Sequence, residues 1–170
     1  SKLIIGNHNT IRENVTINDN WSLGVDGIGS FLSHGSSPIL ENVTISDNEQ
    51  CGGMVIVGRH TEHEPTLTNV TIMNNYFEKG GGLYIKNSNP TLNYVTIRNN
   101  TALENGGGIF IEESPPIEMN YVEITSNSAY GGGGGGIFIQ SATATINNAT
   151  ISGNFADLGS GVAFISSWVD

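Results

Sequence analysis

Along the whole chain, apolar residues come in pairs separated by one polar residue, and the pairs return at nearly constant spacing. Val15 and Ile17 flank Thr16, Val43 and Ile45 flank Thr44, and Val70 and Ile72 flank Thr71. Val95 and Ile97 then flank Thr96, Val122 and Ile124 flank Glu123, and Ala149 and Ile151 flank Thr150. A period of two puts the apolar members on one side of a short strand and the polar member on the other. Successive copies are 25 to 28 residues apart, a period that signals a solenoid.

Two further strands complete each repeat. One follows a glycine: GSFL from 29, GMVI from 53, GLYI from 82, GIFI from 108, GIFI from 136 and GVAF from 161. In each of these the second and fourth residues are expected to face inward and the third outward. The other leads back to the next copy, with Leu40, Leu67, Leu92, Met119 and Ile146 each three residues before the repeated Val or Ala. The pattern predicts an all-β, single-stranded parallel β-helix over residues 1–170, with about six coils of 25–28 residues and three short strands per coil. Leucine-rich repeats need Leu at other fixed spacings, and a propeller blade needs four antiparallel strands in about 40 residues or more.

The most regular feature is polar. Asn20, Asn48, Asn75, Asn100, Asn127 and Asn154 each stand five residues after the repeated Val or Ala. A carboxamide can donate to one neighbouring coil and accept from the other at a strand spacing of about 4.8 Å, so this column is expected to be a structural ladder. The clusters Gly80–Gly82, Gly106–Gly108 and Gly131–Gly136 stand where each coil bends into its second strand, where positive φ and close backbone approach favour glycine. No helix pattern follows them and no GK[ST] occurs, so they are not phosphate loops. The N-x-T matches at Asn14, Asn42, Asn69 and Asn148 are by-products of the repeat.

Composition narrows the function. Six basic residues against sixteen acidic ones give a net charge of −10, which repels nucleic acid and anionic membranes. No run of about 18 apolar residues could insert directly into a membrane as a helix. Cys51 is the single cysteine and is expected to be a buried, inert thiol.

The strings NVTI, GGGLYI, SNPTLN and GGGIFI resemble the right-handed parallel β-helix repeats of large bacterial and archaeal surface proteins. They are similar, more loosely, to the repeats of polymorphic outer-membrane autotransporter passengers, although the FxxN motif of those repeats is not kept. The resemblance covers the chain from about Leu3 to Ile165. It implies right-handedness, in line with the general preference of parallel crossovers, and an extracellular or cell-surface location. It does not imply one activity, because the architecture serves polysaccharide lyases, epimerases, glycosidases, tailspikes and adhesins alike.

Function is expected on outward rows and irregular loops. The outward row of the second strand reads Ile4, Phe31, Val55, Tyr84, Phe110, Phe138 and Ala163, and its aromatic members Phe31, Tyr84, Phe110 and Phe138 are expected to form an exposed stripe for an interface or a ligand. The loop VGRHTEHEPT brings Arg59, His60, Glu62, His63 and Glu64 together. Asp19 and Asp47 share a column continued by Asn74 and Asn99, an oxygen-only set that would suit Ca²⁺; no other cofactor is expected. For an enzyme, Glu112, Glu113, His60 and His63 are the acid–base candidates. Nothing singles out one of them.

The expectation is therefore a non-enzymatic structural or adhesive module of an extracellular surface protein or filament. The alternative is a carbohydrate-active β-helix enzyme: a polysaccharide lyase, epimerase or glycoside hydrolase. The chain begins and stops inside a coil, so its expected partners are copies of itself or adjoining β-helix coils, with polysaccharide as a further candidate.

Overall fold

The computed structural model describes residues 3–5, 9–21, 29–58 and 63–166. Among these, 23 short strands and no helix form a right-handed solenoid. One full turn runs through Thr71–Met73, Tyr76–Phe77, Leu83–Lys86 and Thr91–Asn93. Each strand pairs in parallel with its counterpart one turn away. The turns thus build four sheets: the first sheet on the Val-x-Ile strands, a short sheet, the glycine-led sheet and the return sheet. They hold six, four, seven and six strands in that order.

Two details differ from the sequence expectation. The short sheet gives some turns a fourth strand: Tyr76–Phe77 and Thr101–Ala102 are two residues long, Ser128–Gly133 runs into glycine, and none of these carries an apolar alternation to read. The described turns number about five rather than about six, with Leu3–Ile5 and Thr10–Ile11 in a partial turn at one end and Thr150–Ser152, Phe155–Leu158 and Val162–Ile165 in one at the other.

The β-branched pairs fill the interior as their period requires. Val43, Ile45, Val70, Ile72, Val95, Ile97 and Ile124 are all but fully buried, as are Leu40, Leu67, Leu92 and Met119 of the return sheet. The glycine-led sheet adds Met54, Leu83, Ile109 and Ile137 at one inward level, and Ile56, Ile85, Ile111 and Ile139 at the next. Ser33 takes that second level in its own coil, fully buried, with its hydroxyl 3.1 Å from the carbonyl oxygen of Ser36 and 3.0 Å from the Ser36 hydroxyl.

Phe31 corrects the expected register. It pairs with Met54 and is fully buried in the core, while Leu32 takes the outward place beside Val55. Counting from the glycine misplaces the strand by one, because Ser30 here occupies the position that Gly53, Gly82, Gly108 and Gly136 hold elsewhere. A one-residue slip exchanges the two faces of a strand.

The asparagine ladder is complete among the described turns. Asn48 Nδ2 donates to Asn75 Oδ1 at 2.8 Å, Asn75 Nδ2 to Asn100 Oδ1 at 3.0 Å, and Asn100 Nδ2 to Asn127 Oδ1 at 3.0 Å. Asn20 donates to Asn48 at 2.9 Å and Asn127 to Asn154 at 3.0 Å. Each accepting oxygen also takes the backbone N–H of the asparagine that donates to it. From Asn48 onward the amide also donates to an isoleucine carbonyl one coil back, as from Asn100 to Ile72 at 3.0 Å, whereas Asn20 donates to the Asn18 carbonyl of its own coil. Full satisfaction is what allows Asn48, Asn100 and Asn127 to be fully buried.

Gly82 shows why a glycine column runs beside this ladder. A Cβ there would stand 2.7 Å from the Gly108 carbonyl oxygen, 2.9 Å from Asn100 Nδ2 and 2.9 Å from Ile97 Cγ2. Its requirement is space, whereas Gly106 and Gly134 meet the bend itself with φ of 66° and 65°.

Candidate functional site

The corners of the solenoid are built on left-handed residues. Asp19, Asp47, Asn74, Asn99 and Ser126 share one corner position with φ between 52° and 57°. Asn14, Asn42, Asn69, Tyr94, Tyr121 and Asn148 share another. Asn and Asp tolerate this region because their short polar side chains bond locally, which gives the repeated Asn before Val a backbone reason.

This geometry places the proposed Ca²⁺ pair. Asp19 and Asp47 occupy equivalent corners, but each carboxylate is already engaged: Asn18 Nδ2 donates to Asp19 Oδ2 at 2.6 Å, and Asn74 Nδ2 to Asp47 Oδ1 at 2.9 Å. The bond from Asn74, and next one from Ser46, hold the exposed Asp47 carboxyl below its usual range. Among the described residues no three His, Cys, Asp or Glu side chains converge as metal ligands.

The outward aromatic row exists, but as a covered layer. Tyr84, Phe110 and Phe138 stack on successive turns, with centroids 5.5 Å apart and planes 9° off parallel for the first pair, and 5.2 Å and 22° for the second. Phe110 is 1% and Phe138 3% exposed, so these rings do not form the expected exposed stripe. The end of the short sheet and the residues that follow it lie against the row. Gly133 sits against the edge of the Phe138 ring, and Phe77, Glu78 and Lys79 line a shallow hollow with Tyr84.

At its wetter end this row meets a cluster of titratable groups. Tyr84 Oη donates to Glu112 Oε2 at 2.6 Å, and Lys86 Nζ lies 3.3 Å from both Glu112 Oε1 and Glu113 Oε2. The strand pairing Lys86 with Glu112 fixes the first contact. Glu113 follows at a left-handed corner with φ of 47°. Burial, then the hydrogen bond to Glu112 and the charges of Glu112 and Glu113, push the Tyr84 hydroxyl far above its usual range. For Lys86 burial acts downward, and the hydrogen bonds and charges of the two glutamates outweigh it, leaving a net upward shift. Both groups therefore keep their protons near neutral pH. A general base needs the opposite tuning, toward the working pH.

Among the described candidates, His63 makes its hydrogen bonds away from this cluster. His63 serves through its backbone, where its carbonyl oxygen accepts from Ser88 Oγ at 2.7 Å and from Asn89 N at 3.2 Å. His60, with Arg59 and Glu62, lies outside the described residues. Cys51 is buried, with Sγ 3.5 Å from the Asn20 carbonyl oxygen.

Sequence reasoning missed the exposed aromatics. Tyr94 and Tyr121 stack at 4.9 Å and 6° on the corner between the return and first sheets, 58% and 53% exposed. Both break a column otherwise made of asparagine, and that break was the available signal.

Comparisons with curated proteins and with solved structures return no match. The sequence model of the family described as "Right handed beta helix region" matches residues 3–119 and, in a second register, 68–167. Overlapping matches in two registers are what a chain of interchangeable coils produces. With the parallel sheets and the asparagine ladder, they show that the chain belongs to the right-handed β-helix family, a fold of structural and carbohydrate-active proteins.

Proposed function

We propose that this β-helix is a non-catalytic structural and adhesive module of an extracellular or cell-surface protein. One observation carries the reading: each described lysine, and Arg12, is held in an ion pair with glutamate. Arg12 pairs with Glu41 at 2.9 Å, Lys79 with Glu104 at 3.3 Å, and Lys86 with Glu112 and Glu113. A lyase or epimerase acting on a uronate needs a cation free to neutralise the substrate carboxylate and a base able to lose its proton. Here Arg12, Lys79 and Lys86 are engaged by the chain's own glutamates, Arg98 is turned to Met73 Sδ, and Tyr84 and Lys86 are tuned to retain protons. The extracellular placement rests on the resemblance of the repeats to those of surface proteins. Stacking onto further β-helix coils or onto copies of itself belongs to the same reading.

The test is turnover. The chain is incubated with neutral and uronate-containing polysaccharides, and reducing ends, unsaturated uronates and epimerised products are measured. The expected result is none of the three. Activity that disappears on Glu112→Gln would overturn the proposal in favour of the enzyme.

A further inference from the structure

Tyr94 and Tyr121 occupy corners with φ of 55° and 54°, where the equivalent residues Asn14, Asn42, Asn69 and Asn148 have φ of 52° to 62°. A bulky aromatic is disfavoured at such a φ and asparagine is tolerated, so the two tyrosines carry strain that the column avoids elsewhere. They do not recover it by burial, since both rings are more than half exposed. Among the described residues their rings stack on each other. Strained, exposed aromatic residues kept side by side are the kind of outlier from which a functional role is inferred.

The surroundings define what would bind. Immediately before the tyrosines stand Asn93 and Asn120, in a second amide ladder: Asn120 Nδ2 lies 3.2 Å from Asn93 Oδ1, and Asn147 Nδ2 lies 3.0 Å from Asn120 Oδ1. Asn120 Nδ2 also donates to Glu118 Oε1 at 3.1 Å. On the other side of the corner, the first sheet turns Thr96, Glu123 and Thr150 outward on adjacent strands. Arg98, four residues after Tyr94, directs its guanidinium to Met73 Sδ at 2.9 Å. Aromatic surface beside amides, hydroxyls and carboxylates offers an apolar platform with hydrogen-bond donors and acceptors at its edge. That combination fits the C–H face and hydroxyl rim of a pyranose. With Arg98 turned to Met73 and a chain charge of −10, an anionic sugar is disfavoured.

The geometry points to the Tyr94–Tyr121 corner as a binding site for neutral saccharide chains. This gives a ligand class to the adhesive part of the proposed function, on separate ground. Failure to bind sugar would leave the non-catalytic rod standing, and polysaccharide turnover would sink the rod reading without touching this corner.

The test is calorimetric titration of the full chain with a β-1,4-linked glucose hexamer, an N-acetylglucosamine hexamer and, as the anionic control, an oligogalacturonate. The variant is Tyr94→Asn with Tyr121→Asn, which installs the column's own residue; each single substitution carries the same comparison. The expected result is binding of at least one neutral hexamer, at least tenfold tighter than oligogalacturonate. The double variant should weaken it at least tenfold while melting no lower than the parent. The proposal falls if neither neutral hexamer binds, if binding survives the double substitution, if oligogalacturonate binds equally well, or if the variant melts lower.

Discussion

Asn100 donates from Nδ2 to Oδ1 of Asn127 at 3.0 Å, and the same oxygen accepts the backbone N–H of Asn100 at 2.9 Å. One side-chain oxygen thus closes the turn of the preceding coil and holds the next rung of the ladder. Asn100 Oδ1 does the same for Asn75. Asn100→Ala would orphan the buried N–H of Asn75 and leave the Ile72 carbonyl without its side-chain donor. At about 1–3 kcal/mol for each unsatisfied buried group, the expected loss is about 3–5 kcal/mol. Asn20→Ala, at a part-exposed rung where water can substitute, is expected to lose about 1 kcal/mol. Urea denaturation of the two variants measures the difference. Equal losses would show that burial does not set the value of a rung.

Two glycines at equivalent strand starts are expected to respond with opposite sign. Gly82→Ala drives its Cβ into the Gly108 carbonyl oxygen, the Asn100 amide and Ile97, with backbone on one side and the ladder on the other. A loss of about 2–3 kcal/mol is expected, as for an overpacked core. Gly161→Ala meets only Ile151 Cγ2, at 3.8 Å, and should be neutral or gain up to about 1 kcal/mol by restricting the unfolded chain. Thermal melts decide it, and destabilisation by Gly161→Ala would overturn the contrast.

Phe110 provides a test of the covered row. An exposed ring on an outward row would cost little to remove, whereas a ring 1% exposed and stacked between Tyr84 and Phe138 behaves as core. Phe110→Ala is expected to lose about 3–5 kcal/mol. A loss below about 1 kcal/mol on denaturation would restore the exposed stripe.

What the sequence revealed was whatever the repeat locks in register. Val43 and Ile45 recur with their neighbours every turn, and so does Asn48, so both core and ladder could be read from spacing alone. Phe31 was lost because Ser30 stands in a glycine position, and the glycine had served as the register mark. The short sheet was lost because Tyr76–Phe77 and Thr101–Ala102 are too short to show a period and Ser128–Gly133 ends in glycines. The cover over Phe138 comes from Gly133 and the neighbouring connecting chain, a contact of tertiary geometry that no spacing reports. Tyr94 and Tyr121 were legible in principle: Asn14, Asn42, Asn69 and Asn148 define a left-handed column, and tyrosine is the residue that does not belong there. The titratable cluster was half legible. Glu112 and Glu113 stood out as acids, but their partners Tyr84 and Lys86, 28 and 26 residues before Glu112, appear only when the two strands are laid side by side.

That cluster also predicts how the fold responds to alkali. The Tyr84 hydroxyl and the Lys86 ammonium both hold their protons more tightly when folded than when unfolded, where their ordinary values are 10.0 and 10.5. A raised folded pKa contributes stability that is fully present below the unfolded value and is lost as pH rises through the folded one. The melting temperature should therefore begin to fall at about pH 10 and continue to fall above it. Tyr84→Phe keeps the ring stack, since Phe110 and Phe138 already fill the same place in their coils, and removes only the hydroxyl. At pH 7 the variant should be less stable by about 1–2 kcal/mol, the worth of a hydrogen bond to a carboxylate. Its loss of stability above pH 10 should be shallower, so the two melting curves converge with rising pH. Parallel curves from pH 7 to 11 would show that Tyr84 does not carry the alkaline response.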